Sequence, residues 1–337
     1  MTDLTWLTNM ELPFEKLRGS DILVTGANGM IASDLCETLI LLNEEMDLDL
    51  HVHALCRNKE NALKRLSRFL DKDCFELLIQ DVSEPLETGK KYDYIFHLAS
   101  SANPSAFNEH PVEVMKANFI GTMNMLEQVR NNGGRLVFVS SSEVYGENFD
   151  EKELFKEEDQ GQIDYFRFRA CYPESKRASE TLCKCYEKEY DTDVVIARPA
   201  FIYGRSIIDS NNRADVYFLR QAMNHEDIVM YSEGSQIRSY CYVNDCISGF
   251  LFIALLGEKG EAYNIGNMDC VVTMKEYAQT LADMADINLT FDFSKAPKDK
   301  VMLKTVKLIL DTHKLEALGW NAQYDLKAGF KDIFQGD

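Results

Sequence analysis

Short, continuous apolar runs alternate with longer stretches of helical periodicity from Asp21 to Ala197. Asp21–Thr25, His51–Cys56, Phe75–Ile79, Tyr94–Leu98, Arg135–Ser140 and Asp193–Ala197 each read as a strand. Between them, Ile31, Leu35, Leu39 and Leu42 recur at helical spacing, and Lys59–Leu70, Val112–Asn131 and Tyr172–Tyr190 read as helices. Strands apolar on both faces and separated by helices predict an α/β fold with a doubly wound parallel sheet covered on both sides. After Gly204 the pieces become more polar and irregular, which predicts a smaller second domain. The expected division is an extension over 1–19, a first domain over 20–205 with about 236–265, and a second over 206–235 with 266–337. Trp6, Leu7, Leu12, Pro13, Phe14 and Leu17 predict that the extension is packed, and Asp311–Phe334 has helical periodicity.

Composition narrows the function classes. A chain of 337 residues with 45% hydrophobic side chains has ample material for a core. Its 36 basic and 55 acidic side chains give a net charge of −19, which argues against binding nucleic acid or an anionic membrane through a basic surface. The apolar run Phe250–Leu256 is far short of a membrane span, and the first residues lack the basic and apolar regions of an export signal. Nine scattered cysteines without zinc-ligand spacing read as free thiols, so a cytoplasmic protein with no bound metal is expected.

Two local patterns carry chemistry. Thr25-Gly-Ala-Asn-Gly-Met-Ile-Ala32 joins the first strand to the first helix, where glycines allow a tight turn and bring backbone N–H groups to a pyrophosphate. Ala32 stands at the third glycine position of that fingerprint. At the end of the second strand, where an acid would bind a ribose hydroxyl, the chain has Arg57, which suits a 2′-phosphate and so NADP. Asp81, after the third strand, is placed to accept from an adenine amino group. The second pattern is Tyr172-x-x-x-Lys176, which shares one helix face and follows a strand ending in Ser140-Ser-Ser-Glu-Val-Tyr-Gly146. A tyrosine acting as base toward a sugar hydroxyl needs its ordinary pKa of ~10 lowered, and a nearby ammonium and a cationic nicotinamide both work in that direction.

With these residues in place the chain resembles an extended short-chain dehydrogenase/reductase of the NAD-dependent epimerase/dehydratase family, the nucleotide-sugar modifiers. The likeness runs from Asp21 to the C-terminus. It rests on the Thr25–Ala32 turn, Phe96-His-Leu-Ala-Ser100, Asn118, Ser141-Ser-Glu-Val-Tyr-Gly, Tyr172/Lys176, Arg198-Pro to Tyr203-Gly204, Arg238 to Asp245, Asn264-Ile-Gly-Asn267 and Leu318-Gly-Trp320. The resemblance implies a Rossmann first domain, and an NAD cofactor held by Gly26, Asn28, Gly29, Met30, Ile31, Arg57, Asp81, Val82, Leu98, Ala99, Ser100, Asn118, Tyr172 and Lys176. It implies a catalytic set of Ser141, Glu143, Tyr172 and Lys176, and a nucleotide-sugar substrate met by Ser101, Ser142, Phe201, Arg205, Arg213 and Arg238. A homodimer through a four-helix bundle, built from the two long helices of each copy, belongs to the same implication.

Within that family, Ser142-Glu-Val-Tyr-Gly146, Arg169-Ala-Cys-Tyr172 with Lys176-Arg177, and Gly234-Ser-Gln-Ile-Arg238 are similar to UDP-glucuronate decarboxylases. That group would oxidise C4 of the sugar, lose CO₂ from the β-keto acid and return the hydride, with Glu143 handling a proton near C5 and Arg238 steering the anionic substrate. Ser142 stands where 4,6-dehydratases have an aspartate, Phe201 where the family has an asparagine, and Arg205 where it has a proline. The alternatives are an epimerase, an NADPH-dependent keto-sugar reductase, less favourably a 4,6-dehydratase, and least a redox-sensing scaffold without activity. The charge of −19 then requires a local positive lining around the ligand, for which Arg57, Lys176, Arg198, Arg205, Arg213 and Arg238 are the candidates.

Overall fold

The computed structural model describes residues 4–86, 88–100, 102, 104–148, 152–208, 211–295 and 307–335. Seven parallel strands form the central sheet: β1 Asp21–Thr25, β2 His51–Cys56, β3 Phe75–Ile79, β4 Tyr94–His97, β5 Arg135–Val139, β6 Val194–Pro199 and β7 Ala262–Ile265. Their order is β7-β6-β5-β4-β1-β2-β3, so the chain reverses its direction of winding between β1 and β4. A crevice at the carboxyl ends of those two strands is where such sheets bind ligands.

Strand periodicity sends alternate residues to opposite faces. Ile22, Val24, Val52, Ala54, Phe96, Val137 and Ala197 pack with α1 (Met30–Met46), α2 (Lys59–Leu66) and the apolar Val243–Leu256 helix. Leu23, Leu55, Ile95, Leu136, Phe138 and Ile196 face the other way, onto α3 (Pro111–Asn132) and α4 (Cys171–Tyr190) through Met125, Leu126, Val129, Cys183 and Tyr186. Each of the larger of these side chains (Val, Leu, Ile, Phe and Met) contributes about 1.5–3 kcal/mol on burial, which makes this double-sided packing the main support of the sheet.

The amino-terminal extension is packed as expected. Leu4, Leu7, Phe14 and Leu17 are buried in the core, and Lys16 Nζ donates to the carbonyl of Leu255 at 2.9 Å, in the last turn of the Val243–Leu256 helix. Beyond the large sheet, the strands Phe201–Tyr203, Ile237–Tyr242, Val271–Thr273 and Lys307–Leu308 pair around the second of them. The helices Met274–Ala285 and Leu326–Gln335 pack against this smaller sheet, with Tyr203, Tyr240, Tyr242, Tyr277 and Phe330 in mutual ring contact, and Ala214–Met223 packs on Met274–Ala285.

Two expectations about helices need correction. Lys59–Leu70 is α-helical to Leu66 and then tightens to a 3₁₀ turn over Ser67–Phe69. Asp311–Phe334 is helical in two pieces, His313–Glu316 and Leu326–Gln335. Between them Gly319 adopts φ +98°, the Trp320 indole donates to Ser248 Oγ at 2.9 Å, and the Asp245 carboxylate accepts the N–H groups of Gln323 and Tyr324. Tertiary hydrogen bonds therefore replace the intrahelical ones that periodicity suggested.

Candidate active site

The turn after β1 is shaped by one close approach. Gly26 has φ +67°, and a Cβ there would lie 2.8 Å from Ala99 Cα and 3.0 Å from Ala99 N. Glycine is required on both counts. Thr25 Oγ1 ties β1 to β4 beside it, accepting from Ala99 N–H at 3.1 Å and meeting His97 Nδ1 at 2.8 Å. Burial, with Lys176 nearby, pushes His97 down to about 3, so the ring is neutral. The N-terminus of α1 follows, with Gly29 as a cap that offers no side-chain acceptor. The first N–H groups of α1, covering Met30 and Ile31, are thus left for an anion.

Arg57 and Asp81 sit at the ends of β2 and β3 and pair with each other at 3.6 Å, the Arg57 side chain being 63% exposed. Burial raises the Asp81 carboxyl, but hydrogen bonds from Ser83 and the charge of Arg57 outweigh it and hold it below its ordinary value. Val82 lies under α3, and Asn124 Nδ2 donates to its carbonyl at 2.9 Å. Leu98, Ala99 and Ser100 follow β4, with Ser100 Oγ buried and unpartnered among the described residues. Ser101 lies outside the described residues. A glycine cradle closed by Ala99, an uncapped helix end and an orphaned serine hydroxyl fit the pyrophosphate-bearing cofactor that the sequence suggested.

On the other side of the crevice, α3 and α4 lock together. Asn118 Nδ2 donates to Ser175 Oγ at 2.8 Å, and Ser179 Oγ donates to the Asn118 carbonyl at 2.8 Å. This positions Lys176, whose Nζ donates to Val139 O at 2.7 Å and lies 4.9 Å from the centre of the Phe138 ring. Burial pushes Lys176 down to about 7. Tyr172, one turn earlier, packs on Phe107 with ring centres 5.0 Å apart. Burial and the nearby Glu143 push it up to about 12, while a hydrogen bond with Ser141 and the charges of Arg213 and Arg169 pull it back. Ser141 Oγ also accepts from Glu143 N–H at 3.2 Å, and Ser142 beside it is buried. Ser141, Glu143 and Tyr172 are therefore together, with Lys176 directed at the sheet.

The proposed substrate contacts divide. Arg213 carries Asp215 at 3.1 Å, donates to Ile202 O at 3.2 Å and acts on Tyr172. Arg238 lies 4.3 Å over the Phe201 ring, donates to Gln236 Oε1 at 3.1 Å and bonds the Tyr240 hydroxyl. Phe201, at the position of the family asparagine, thus becomes the bed for Arg238. Arg205 turns toward α1 and meets Glu37 at 3.4 Å. Arg198 does not join the lining: it pairs with Glu180 at 2.6 Å and donates to Tyr145 Oη and Glu157 O, at the β6–β7 edge of the sheet.

Two features had no sequence assignment in the site. Arg169 contacts Glu143 at 3.1 Å, and its place one turn before Tyr172 was the available signal. Asp34, on the first turns of α1, accepts from Ser206 Oγ and leaves Oδ2 buried without a partner among the described residues. Arg65 bonds the carbonyls of Ser206 and Ile207 at 2.7 and 2.9 Å, so the 205–208 segment is strapped to the cofactor-side helices. Nothing local in the sequence indicates that strap.

The nine cysteines are free thiols, no cluster of metal-ligating side chains occurs among the described residues, and no described helix is long and apolar enough to cross a membrane. Residues 22–266 match the model of the NAD dependent epimerase/dehydratase family. The chain is 32% identical over 310 residues to UDP-glucuronic acid decarboxylase 6 of Arabidopsis thaliana, covering 91% of this chain and 86% of that protein. It is 30% identical over 321 residues to UDP-glucuronic acid decarboxylase 1 of Danio rerio, covering 93% and 72%. Among solved structures, a UDP-glucose 4-epimerase of Thermotoga maritima with UDP-glucose superposes with a TM-score of 0.79 at 22% identity, covering 94% of this chain and 97% of that one. A UDP-glucuronic acid 4-epimerase of Bacillus cereus with UDP-glucuronic acid and NAD gives 0.78 at 22%, covering 94% and 98%.

Proposed function

The chain belongs to the NAD dependent epimerase/dehydratase family, and from that premise we propose that it decarboxylates a nucleotide-linked uronic acid of the UDP-glucuronate type. The observation that carries the reading is the Glu143–Arg169 pair set beside Tyr172 and Ser141, a carboxylate and a cation at the base that the chemistry needs. Relatives named as UDP-glucuronic acid decarboxylases across nine-tenths of the chain support it.

Gly26, Gly29, Met30, Ile31 and Ala99 would hold the pyrophosphate side of the cofactor, and Lys176 and Asn118 its nicotinamide side. A bound oxidised nicotinamide supplies the hydride acceptor at C4 and later the donor. Tyr172, with Ser141, takes the proton of the C4 hydroxyl. The resulting C4 ketone is β to the C6 carboxylate, so the electrons of the C5–C6 bond move toward the ketone oxygen as CO₂ leaves. Glu143 governs the proton delivered to C5, and Tyr172 returns its proton to the C4 oxygen. Burial holds Tyr172 near 12, so its deprotonation at neutral pH depends on the positive charge that ligands bring.

We assign NAD rather than NADP. Arg57 is engaged by Asp81, whose carboxylate would repel a 2′-phosphate at the same place. We place cofactor binding in the domain of the seven-stranded sheet, and sugar binding in 206–235 with 266–337 together with the strands Phe201–Tyr203 and Ile237–Tyr242, which belong to the smaller sheet. The exposed Val112, Met115, Phe119 and Met123 recur along one face of α3, which fits pairing with a second copy through the long helices. Free thiols fit a reducing cytoplasm.

The test is incubation with UDP-glucuronate and NAD⁺, followed by mass spectrometry of the nucleotide sugars and measurement of released CO₂. Equal release of CO₂ and a UDP-pentose supports the reading, and Tyr172→Phe should lower the rate by roughly 10²- to 10⁴-fold. Conversion to UDP-galacturonate without CO₂ would make the protein an epimerase. NADPH oxidation with a keto sugar would make it a reductase.

A further inference from the structure

Arg169 is the middle residue of a 3₁₀ turn, Phe168–Ala170, immediately before α4, which carries it to the same side as Tyr172. Its guanidinium lies 4.4 Å over the Phe107 ring, whose centre is 5.0 Å from that of Tyr172. The group is therefore fixed rather than swinging. Only one end of the fork is used: Nη2 reaches the two Glu143 oxygens at 3.1 and 3.3 Å. Nη1 is buried, and no described residue accepts its hydrogens. A buried guanidinium nitrogen without an acceptor is costly, and a ligand that supplies the acceptor recovers that cost.

The other arginines near Tyr172 and Phe201 are differently committed. Arg213 is filled by Asp215 and Ile202 O. Arg238 lies on Phe201 with Gln236 and Tyr240 as its polar partners. A uronic acid also sets a particular electrostatic problem, because its carboxylate must lie within reach of the base while Glu143 already occupies that region. Two carboxylates side by side require a cation between them. A planar fork can serve both at once.

We propose that Arg169 is the residue that recognises the substrate's carboxylate, holding Glu143 with Nη2 and the sugar's C6 carboxylate with Nη1. The inference rests on the uronic-acid reading above and adds the group that selects for it. A neutral hexose in the same place would leave Nη1 unpaired, so Arg169 discriminates against it. Release of CO₂ removes the acceptor and weakens this hold on the product.

The experiment uses the full chain with saturating NAD⁺ in a Tyr172→Phe background, which blocks turnover, and titrates UDP-glucuronate and UDP-xylose calorimetrically. The two ligands differ by the carboxylate. Adding Arg169→Gln should weaken UDP-glucuronate by roughly 10- to 100-fold and UDP-xylose by less than about 3-fold. Retained UDP-xylose binding shows that the variant is folded. Arg169→Lys should recover part of the UDP-glucuronate loss. Equal weakening of both ligands, or of neither, overturns the assignment and leaves the nucleotide-sugar reading standing. If the background protein binds neither ligand, the nucleotide-sugar reading falls and this inference with it.

Discussion

Replacing Asp34 by asparagine should stabilise the protein at pH 8 and not at pH 4. Asp34 sits on the first turns of α1, 3% exposed, with Oδ1 taking the Ser206 hydroxyl and Oδ2 without a partner among the described residues. Burial raises its carboxyl from 3.8 to about 6, against the pull of Ser206, Arg205 and Arg65. The native state therefore binds this proton more tightly than the unfolded chain does. The associated stabilisation is complete below about pH 4, is lost as pH rises through about 6, and stays lost above it. At about 1.4 kcal/mol per pH unit between the two values, ionising Asp34 costs the fold about 3 kcal/mol. Asparagine keeps an acceptor for Ser206 and avoids the charge, but places an amide N–H where Oδ2 has no partner, a cost of about 1–2 kcal/mol. The expected difference is a gain of about 1–2 kcal/mol at pH 8 that becomes a loss of similar size at pH 4. Urea unfolding of both proteins by circular dichroism at half-unit pH steps measures it. The difference between the two curves isolates Asp34 from every other carboxylate. A difference independent of pH between 4 and 8 would refute the argument, whatever its sign.

Gly26→Ala should cost about 2–5 kcal/mol, combining a left-handed residue with a Cβ driven onto the Ala99 backbone. It should also weaken NAD⁺ binding beyond the stability loss, and unaltered binding by calorimetry would remove Gly26 from the cradle. Phe119→Glu, on the exposed face of α3, should weaken self-association by at least ~100-fold. Sedimentation velocity reads the result, and a monomeric wild-type protein would refute the proposed pairing.

The strand–helix rhythm, the glycine turn and the Tyr172/Lys176 pair were legible because each depends on residues close in the chain. Periods of two and 3.6 show directly in the sequence, and a pair four residues apart shares a helix face wherever the helix lies. The strands from Asp21 to Ile79 appear at the residues expected for them. Motifs were less informative about role. Tyr145 and Asn264, both within recognisable segments, bond each other in the interior at 2.6 Å, and Trp320 is buried against Ser248. These residues build the scaffold that holds the site.

Taken alone, the sequence determined the class of fold, the glycine turn at the end of β1, and the placing of Tyr172 and Lys176 on one face of a helix. Tertiary structure decided which charges are paired within the chain. Six cations looked alike in sequence, yet Arg198 is spent on Glu180, Arg205 faces Glu37, Arg57 faces Asp81 and Arg213 faces Asp215. Arg169, part of the Arg169-Ala-Cys-Tyr172 stretch, has no partner for Nη1 among the described residues. The strap from Asp34 and Arg65 to the 205–208 segment joins residues more than a hundred positions apart. The physical reason is the same in each case. A long charged side chain can reach several partners, and only the folded loops settle which carboxylate or carbonyl lies within hydrogen-bonding distance.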